Sequence, residues 1–512
     1  MNTPSYGGRD PIYALATARG ESALALIRTS GGSPEDKAQS AIDLVARVFS
    51  LPEKLLDARS NSVVHGWIVA PQPQMSDDGV YGSARAKIDE VLVSVYRAPR
   101  SYTGEDGADI SCHGGIATVK AVMAALKAAG FREALPGEFT FRAFMNGKLD
   151  LTQAESVMEL VAAKTHKGRE QAVRRLAGVL QKEISAIKEM LVEVLAGTEI
   201  YLDYSEDEFL GTGSGGADTS AAVLTSDEEA GRLPERRRAE QALERLKSIA
   251  RLWQKERLYA DGVLAVIAGK PNAGKSSLFN YLLREDRSIV TDVPGTTRDW
   301  IEALVSVEGI PLRLADTAGL RDIEQGDEVE RIGIKRSREL LDSSGLILYV
   351  INGGEGLTKE DREFFENYPD NFKAKPLIII WNKADIAPPS IEAKLPEQIL
   401  SVSAKTGQGI EALLSRIACL LETESSHALH LGADRNDYSQ EAAGPGTLRQ
   451  KDLIESAVAS VEEALTLADR EEPLDIIAPL FRSAVNALGE ITGEVTSEDI
   501  FNAMFSRFCV GK

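Results

Sequence analysis

Cysteine, histidine, positive charge and long apolar runs are all scarce in this chain, and each shortage narrows what it can be. Three cysteines (Cys112, Cys419, Cys509) in 512 residues make no disulfide framework, which suits a reducing compartment. The five histidines show no metal-ligand spacing with them. Lys and Arg number 58 against 78 Asp and Glu, for a net charge of −20. Such a chain does not advertise nucleic-acid binding, so any such contact must sit on a local basic patch that the total conceals. The strongly apolar runs, such as Leu346 to Ile351, are far too short to span a membrane. Met1 to Asp10 has neither an apolar core nor an Arg-rich amphipathic pattern. The expectation is a cytoplasmic, bacterial protein without membrane contact, rather than one of the mitochondrial matrix.

What is present is ordinary for a globular protein: 43% hydrophobic and 27% charged residues. The length suggests about three domains. The stretch Gly269-Lys270-Pro271-Asn272-Ala273-Gly274-Lys275-Ser276 fits G-x-x-x-x-G-K-[ST], a phosphate-binding loop. The apolar run Val263 to Ala268 reads as a buried strand before it, and Ser277 to Asn280 can open a helix after it. Glycines let backbone N–H groups turn toward a phosphate, and a helix N-terminus adds positive potential. Lys275 can reach the β- and γ-phosphates, and the Ser276 hydroxyl can ligate Mg²⁺. The competing reading, a glycine turn before an ordinary helix, loses ground with each motif that follows.

Four do follow, at strand ends or in loops. Gly295-Thr296-Thr297-Arg298-Asp299 lies where a switch threonine would complete the metal shell. Asp316-Thr317-Ala318-Gly319 follows an apolar run; Asp316 can hold the metal through water, and the Gly319 N–H can meet a γ-phosphate. Asn382-Lys383-Ala384-Asp385 follows Leu377 to Trp381, and its final carboxylate can accept two hydrogen bonds from guanine. Adenine lacks that pair of donors, so GTP is selected over ATP. Ser403-Ala404-Lys405 can close over the base. Small GTPases of the Ras type orient water with a Gln just after D-x-x-G. Here Leu320 stands there and cannot do so. Asn272 can hold a monovalent cation against the phosphates, and Asp327-Glu328-Val329-Glu330 offers a carboxylate for the water.

Around this centre the pattern changes with position. Residues 10–148 read as mixed α/β, with strands at Ile12 to Thr17, Ala23 to Thr29 and Val91 to Tyr96. A helix is read at Ile116 to Ala129 and an exposed excursion at Pro71 to Ser83. Thr152-Gln153-Ala154-Glu155 reads as a capping box. Val173, Leu176, Leu180, Ile184, Ile187, Leu191 and Val194 then form one apolar stripe on a long helix. Gly211 to Asp218 reads as loop. Arg236-Arg237-Arg238, beside Glu235 and Glu240, reads as the solvated face of a helix rather than an RNA patch. Thr423 to Gln450, with Gly444-Pro445-Gly446, reads as a linker before a helix marked by Ile454, Val458, Val461 and Leu465.

The fold class expected is therefore α/β and α. Residues 1–148 form a mixed α/β domain. Residues 149–261 and 423–512 form one helical domain in two segments. Residues 262–422 form a Ras-like G domain inserted into it.

At these residues the chain resembles the tRNA-uridine-modifying GTPase family MnmE, also called TrmE, over nearly its whole length. The likeness includes Gly269 to Ser277 and Asp327-Glu328-Val329-Glu330-Arg331-Ile332-Gly333-Ile334. It extends to the tail Phe508-Cys509-Val510-Gly511-Lys512 and, in the N-terminal part, to Tyr102-Thr103-Gly104-Glu105-Asp106, Cys112-His113-Gly114-Gly115 and Pro136-Gly137-Glu138-Phe139.

The resemblance implies a homodimer joined through folate-binding-like N-terminal domains, and a heterotetramer with the flavoprotein MnmG (GidA). It implies a carboxymethylaminomethyl group placed on C5 of the wobble uridine of certain tRNAs. It implies GTP contacts at Asn272, Ala273, Gly274, Lys275, Ser276, Ser277, Thr291, Asp292, Val293, Pro294, Gly295, Thr296 and Thr297. Further contacts fall at Asp316, Thr317, Ala318, Gly319, Asn382, Lys383, Ala384, Asp385, Ser403, Ala404 and Lys405. It places K⁺ on Asn272, Thr291, Val293 and Thr296, and Mg²⁺ on Ser276 and Thr297. The catalytic carboxylate falls on Glu330, with Glu328 as the neighbour that can take its place.

A reduced folate (5-formyl- or methylene-tetrahydrofolate) is placed on Arg28, Asp109, Lys148 and Lys512. Basic groups suit its glutamate tail and a carboxylate suits the 2-amino face; Asp109 departs from the longer Glu expected there. Two other classes compete. A GTP switch for ribosome assembly would carry an RNA-binding appendage with a G-x-x-G loop, which is not found after Ile410. An ATP-using enzyme is opposed by Asn382 and Asp385.

Overall fold

A computed structural model describes residues 6, 8, 10–32, 40–71, 85–203, 233, 235–285, 302–316, 339–366, 375–388, 399–427, 443–495, 501, 504–506 and 508–511. All of the excursion expected at Pro71 to Ser83 except Pro71, and the glycine-rich loop at 211–218, lie outside these residues. The chain divides into two compact units, residues 1–158 with 486–512 and residues 159–485.

In the first unit, β1 (Ile12–Leu15), β2 (Ser22–Ser30), β3 (Ser62–Val69), β4 (Lys87–Tyr96), β5 (Gly107–Gly114) and β6 (Arg132–Glu133) form one sheet in the order β3-β4-β5-β2-β1-β6. β1 and β6 run parallel, and the other described pairs are antiparallel. Alternation makes the sheet two-faced. Val91, Val93 and Val95 are buried while Leu92 between them is exposed. The buried face packs on α1 (Ala41–Arg47) and α3 (Ile116–Ala129), which follows α2 (Pro52–Leu56). The helix read at 116–129 starts and stops where expected, because Gly130 takes a left-handed φ of +117° at its end. On α4 (Glu138–Met145), Phe141 packs against Phe505 with ring centroids 5.3 Å apart, which ties the C-terminal segment to this unit.

α5 (Leu151–Ala162) corrects the expected cap. Asp150 Oδ1, not Thr152, accepts the N–H groups of Thr152 at 2.7 Å and Gln153 at 3.0 Å. Gln153 Oε1 returns a bond to the Asp150 N–H at 3.0 Å. Asp caps as well as Thr, and a Gln three residues on completes the box two residues early, so Thr152 and Glu155 become buried interior positions.

The long apolar stripe is also interrupted. α6 (His166–Leu176) ends before Gly178, whose φ of +80° stops the helix, and α7 (Val179–Asp203) starts afresh. Leu180, Ile184, Ile187, Leu191 and Val194 are fully buried as the period requires, whereas Val173 across the break is 46% exposed. α8 (Arg236–Asp261) begins with the three arginines. Arg236 pairs with Glu240 and Asp469, and Arg238 with Glu193, so the solvated-face reading holds.

The second sheet carries β7 (Val263–Gly269), β8 (Glu302–Val307), β9 (Ile310–Asp316), β10 (Leu346–Asn352), β11 (Leu377–Asn382) and β12 (Ile399–Ser401) in the order β12-β11-β10-β7-β9-β8. Its described pairs are parallel except the edge pair of β8 with β9. Every residue of β10 is buried, as a central parallel strand covered on both faces must be. α9 (Lys275–Glu285), α10 (Lys359–Glu366) and α11 (Ile410–His427) belong to this fold.

α12 (Leu448–Asp469) and α13 (Leu474–Thr492) follow. Gly444-Pro445-Gly446 before α12 is no exposed linker. The Gly444 N–H donates to Glu256 Oε1 at 3.2 Å and its carbonyl accepts from Arg175 at 3.3 Å. Arg175 is 2% exposed and sits between Glu159 at 2.7 Å and Glu256 at 2.6 Å. Burial works to lower its pKa, and the two carboxylates overcome this and raise it.

Candidate functional site

The phosphate loop leaves the end of β7 and enters α9, the strand–loop–helix context the motif demands. Two glycines in it are required by close approach. A Cβ at Gly269, where φ is +136°, would lie 2.3 Å from the Val350 carbonyl. One at Gly274, where φ is +94°, would lie 2.2 Å from Asn382 Nδ2. The loop is thus pressed against the ends of β10 and β11. Lys275 is 6% exposed, and its ammonium donates to the Lys270 carbonyl at 2.8 Å, which holds its side chain along the loop.

The base side is built from β11 and the loop after β12. Asn382, 2% exposed, does not face open solvent; it joins two loops. Its Nδ2 donates to the Ala273 carbonyl at 2.9 Å, and its Oδ1 accepts the Ala404 N–H at 3.0 Å. Lys383, at a left-handed φ of +63°, donates to the Asn272 carbonyl at 3.0 Å. The Ala384 N–H bonds the Val402 carbonyl at 3.0 Å. The Asp385 carboxylate accepts the Ser403 hydroxyl at 2.7 Å, and Ser403 in turn accepts the Thr406 N–H at 3.2 Å. Three motifs far apart in the chain therefore share one cleft of about 750 Å³.

The cleft also takes Tyr281 and Arg284 from α9, which the sequence reading did not single out. Their signal was available: they stand four and seven residues after Ser277, one and two turns along the same helix face. Asp316 closes β9 next to β7, where Ile267 faces it in register. Thr291 to Thr297, Thr317 to Gly319, Glu328 and Glu330 lie outside the described residues.

In the first unit, Arg28 on β2 and Asp109 on β5 are register partners. They are joined by bonds of 3.1 and 3.4 Å. The Arg28 guanidinium lies 5.9 Å from the Tyr102 ring centroid, and another of its nitrogens reaches the Gly511 carbonyl at 3.5 Å. Burial raises the Tyr102 pKa against the lowering influence of Thr140 and Arg28, so the phenol stays neutral. Lys148 donates to the Pro99 carbonyl at 2.7 Å, three residues before Tyr102. Lys512 lies outside the described residues, although Gly511 beside it is part of this cluster. The Asp109 carboxylate, expected to face a ligand, has Arg28 as its partner here. Cys509 is exposed, while burial pushes the Cys112 thiol up to about 11.

Among the described residues no group of His, Cys, Asp and Glu could hold a metal ion, and no helix is long and apolar enough to cross a membrane. The loop itself offers hydroxyl and amide oxygens, which suit hard cations only with phosphate oxygens beside them.

Comparison with known proteins covers both units. Residues 11–148 match the family described as GTP-binding protein TrmE N-terminus, and residues 151–509 match the MnmE helical domain. The chain is 38% identical over 525 residues to the tRNA modification GTPase MnmE of Treponema denticola, covering 100% of both. It is 37% identical over 513 residues to the protein of the same name from Borreliella burgdorferi, covering 98% of each. With that of Carboxydothermus hydrogenoformans it shares 35% over 512 residues, 98% of this chain and 99% of the other.

Proposed function

The chain belongs to the MnmE family of tRNA modification GTPases, and from that membership we propose which reaction it serves and how its residues work. It hydrolyses GTP. The reaction served is addition of a carboxymethylaminomethyl group to C5 of the wobble uridine of certain tRNAs, together with the flavoprotein MnmG. The observation that supports the GTP half most strongly is the pairing of Asp385 with Ser403 in a cleft that Asn382 ties to the phosphate loop. A pre-set carboxylate at the base edge recognises guanine and turns adenine away.

Hydrolysis needs charge stabilisation and an oriented water. Ser276, with Thr297, would hold Mg²⁺, whose role is to neutralise charge on the phosphates. Asn272, with Thr291, Thr296 and the backbone of Val293, would hold K⁺. The structure is compatible with this. The Asn272 carbonyl is engaged by Lys383, whereas the residue itself is exposed at the mouth of the loop. A fixed positive charge there would take the part of an arginine finger, worth about 10³–10⁵ in rate. Glu330, or Glu328 next to it, would orient the water that Leu320 cannot.

The one-carbon half rests on Arg28, Asp109, Lys148 and Lys512 as the site of a reduced folate. Half-buried Arg28 suits an anionic tail and Tyr102 suits a flat ring. Homodimerisation through this unit is part of the same proposal. A ribosome-assembly role would have to add an RNA-binding appendage to this family's architecture, and the helices after Ile410 leave no such fold among the described residues.

Mass spectrometry of wobble nucleosides tests the reading. Deletion of the gene should remove carboxymethylaminomethyluridine and its derivatives from the tRNA pool, and this chain should restore them. An unchanged nucleoside profile would remove tRNA modification at C5 from the account.

A further inference from the structure

Asn352 closes β10 directly beside the phosphate loop and is only 8% exposed. Its Oδ1 accepts the Gly354 N–H at 3.1 Å, which shapes the turn after the strand. Its Nδ2 donates to Glu355 Oε1 at 2.8 Å and to the Asn272 carbonyl at 3.4 Å. Lys383 is the second donor to that same carbonyl, at 3.0 Å. The next loop carbonyl, that of Ala273, accepts from Asn382. Asn352 and Asn382 are themselves register partners on β10 and β11. Two successive carbonyls of the loop are thus pinned from the ends of two adjacent strands.

The residue so pinned has a left-handed backbone. Asn272 has a φ of +63°, a conformation that Asn adopts more readily than other side-chain-bearing residues but that still competes with the right-handed one, so donors on its carbonyl help to fix it. The residue is exposed, and among the described residues its side-chain amide makes no hydrogen bond that would hold it by itself. The donors on its carbonyl supply that hold. Lys383 lines the base cleft; Asn352 does not, so loss of Asn352 acts on Asn272 while leaving the lining of the base cleft in place.

We propose that Asn352 is a positioning residue for a monovalent-cation site at Asn272, acting through the carbonyl bond that keeps Asn272 left-handed. This rests on the reading that Asn272 ligates K⁺, and the test separates the two. The full chain is loaded with GDP and aluminium fluoride, which mimics the γ-phosphoryl in flight. Binding of the thallous ion, a spectroscopic stand-in for potassium, is followed by thallium NMR and competed with K⁺.

Asn352→Ala should weaken the cation about three- to tenfold, at most the size of one net hydrogen bond, since the bond lost is 3.4 Å long and Lys383 keeps its own. GDP affinity measured without the cation should stay within about twofold of wild type on the same scale. Asn352→Ser guards against a merely damaged turn: its hydroxyl can still accept the Gly354 N–H but is too short to reach Asn272, so it should match the alanine variant. A wild-type thallium signal unchanged in both variants overturns the proposal alone. Parallel losses of cation affinity, GDP affinity and melting temperature also overturn it, since they mark a structural role. No thallium signal in the wild-type complex overturns the cation reading together with it.

Discussion

Asp385→Asn exchanges an acceptor for a donor at one edge of the base, and its consequence follows from the geometry around it. The Asp385 carboxylate offers about four lone-pair positions. One is occupied by the Ser403 hydroxyl at 2.7 Å, and that bond holds the group in place. The remaining positions can accept the N1–H and 2-amino hydrogens of guanine. Each hydrogen bond to a charged group contributes about 1.5–3 kcal/mol, so the pair is worth about 3–6 kcal/mol. Asp385 is exposed, and solvent competition moves the expectation to the lower end. At about 1.4 kcal/mol per decade, GTP affinity should fall roughly a hundredfold or more. Xanthosine triphosphate carries a carbonyl where guanine has its amino group, and that carbonyl accepts from the new amide. The assay is displacement of a fluorescent nucleotide by GTP, xanthosine triphosphate and ATP, for wild type and variant. The variant should prefer xanthosine triphosphate. An Asp385→Asn protein that still prefers GTP by the wild-type margin would refute the assignment of the base edge.

Further outcomes follow from other places in the molecule. Lys148→Ala should weaken reduced-folate binding by roughly ten- to a hundredfold, one charge-assisted bond; calorimetry on the intact protein with no folate heat at all would remove the one-carbon part. Arg175→Ala leaves Glu159 and Glu256 facing each other without their buried cation and should cost about 3–5 kcal/mol of stability, read by denaturant unfolding; an unchanged midpoint would mean the triad is not a stabilising joint. In the native protein at neutral pH, iodoacetamide should modify exposed Cys419 and Cys509 and spare Cys112, because a buried thiol whose pKa stands near 11 offers almost no thiolate. Peptide mapping that finds Cys112 labelled before unfolding would contradict its burial.

Much of the nucleotide fold was legible because phosphate and base chemistry require particular residues at strand ends. β7, β9 and β11 all stand where their apolar runs predicted them. A fully buried parallel strand has no alternation to misread. The failures share a cause. Gly178 was passed over because helical spacing continues across it; its left-handed backbone is set by the turn, not by the period. Asp150 outcompeted Thr152 for the cap because each residue can do that work and packing chose between them. Gly444 to Gly446 look like a linker by composition, yet they are ordered by partners on α6 and α8, which no local pattern reveals. Asn352 belongs to the same class. The register of β10 on β7, which sets Val350 opposite Gly269, is what brings it to the phosphate loop. Roles assigned to Thr291 through Thr297 and to Glu330 come from motif position alone, since they fall outside the described residues.

The account stands most directly on GTP turnover by the full chain in potassium compared with sodium at equal ionic strength. Leu320 cannot orient water, and the proposed mechanism has the rate draw instead on a cation at Asn272 and a carboxylate at Glu330. Turnover should be faster in potassium. Asn272→Ala should erase the difference with nucleotide affinity mostly intact, and Glu330→Ala should slow both salts without loss of binding. Full activity in Glu330→Ala would move the water to Glu328. Equal wild-type rates in the two salts would contradict the cation mechanism outright.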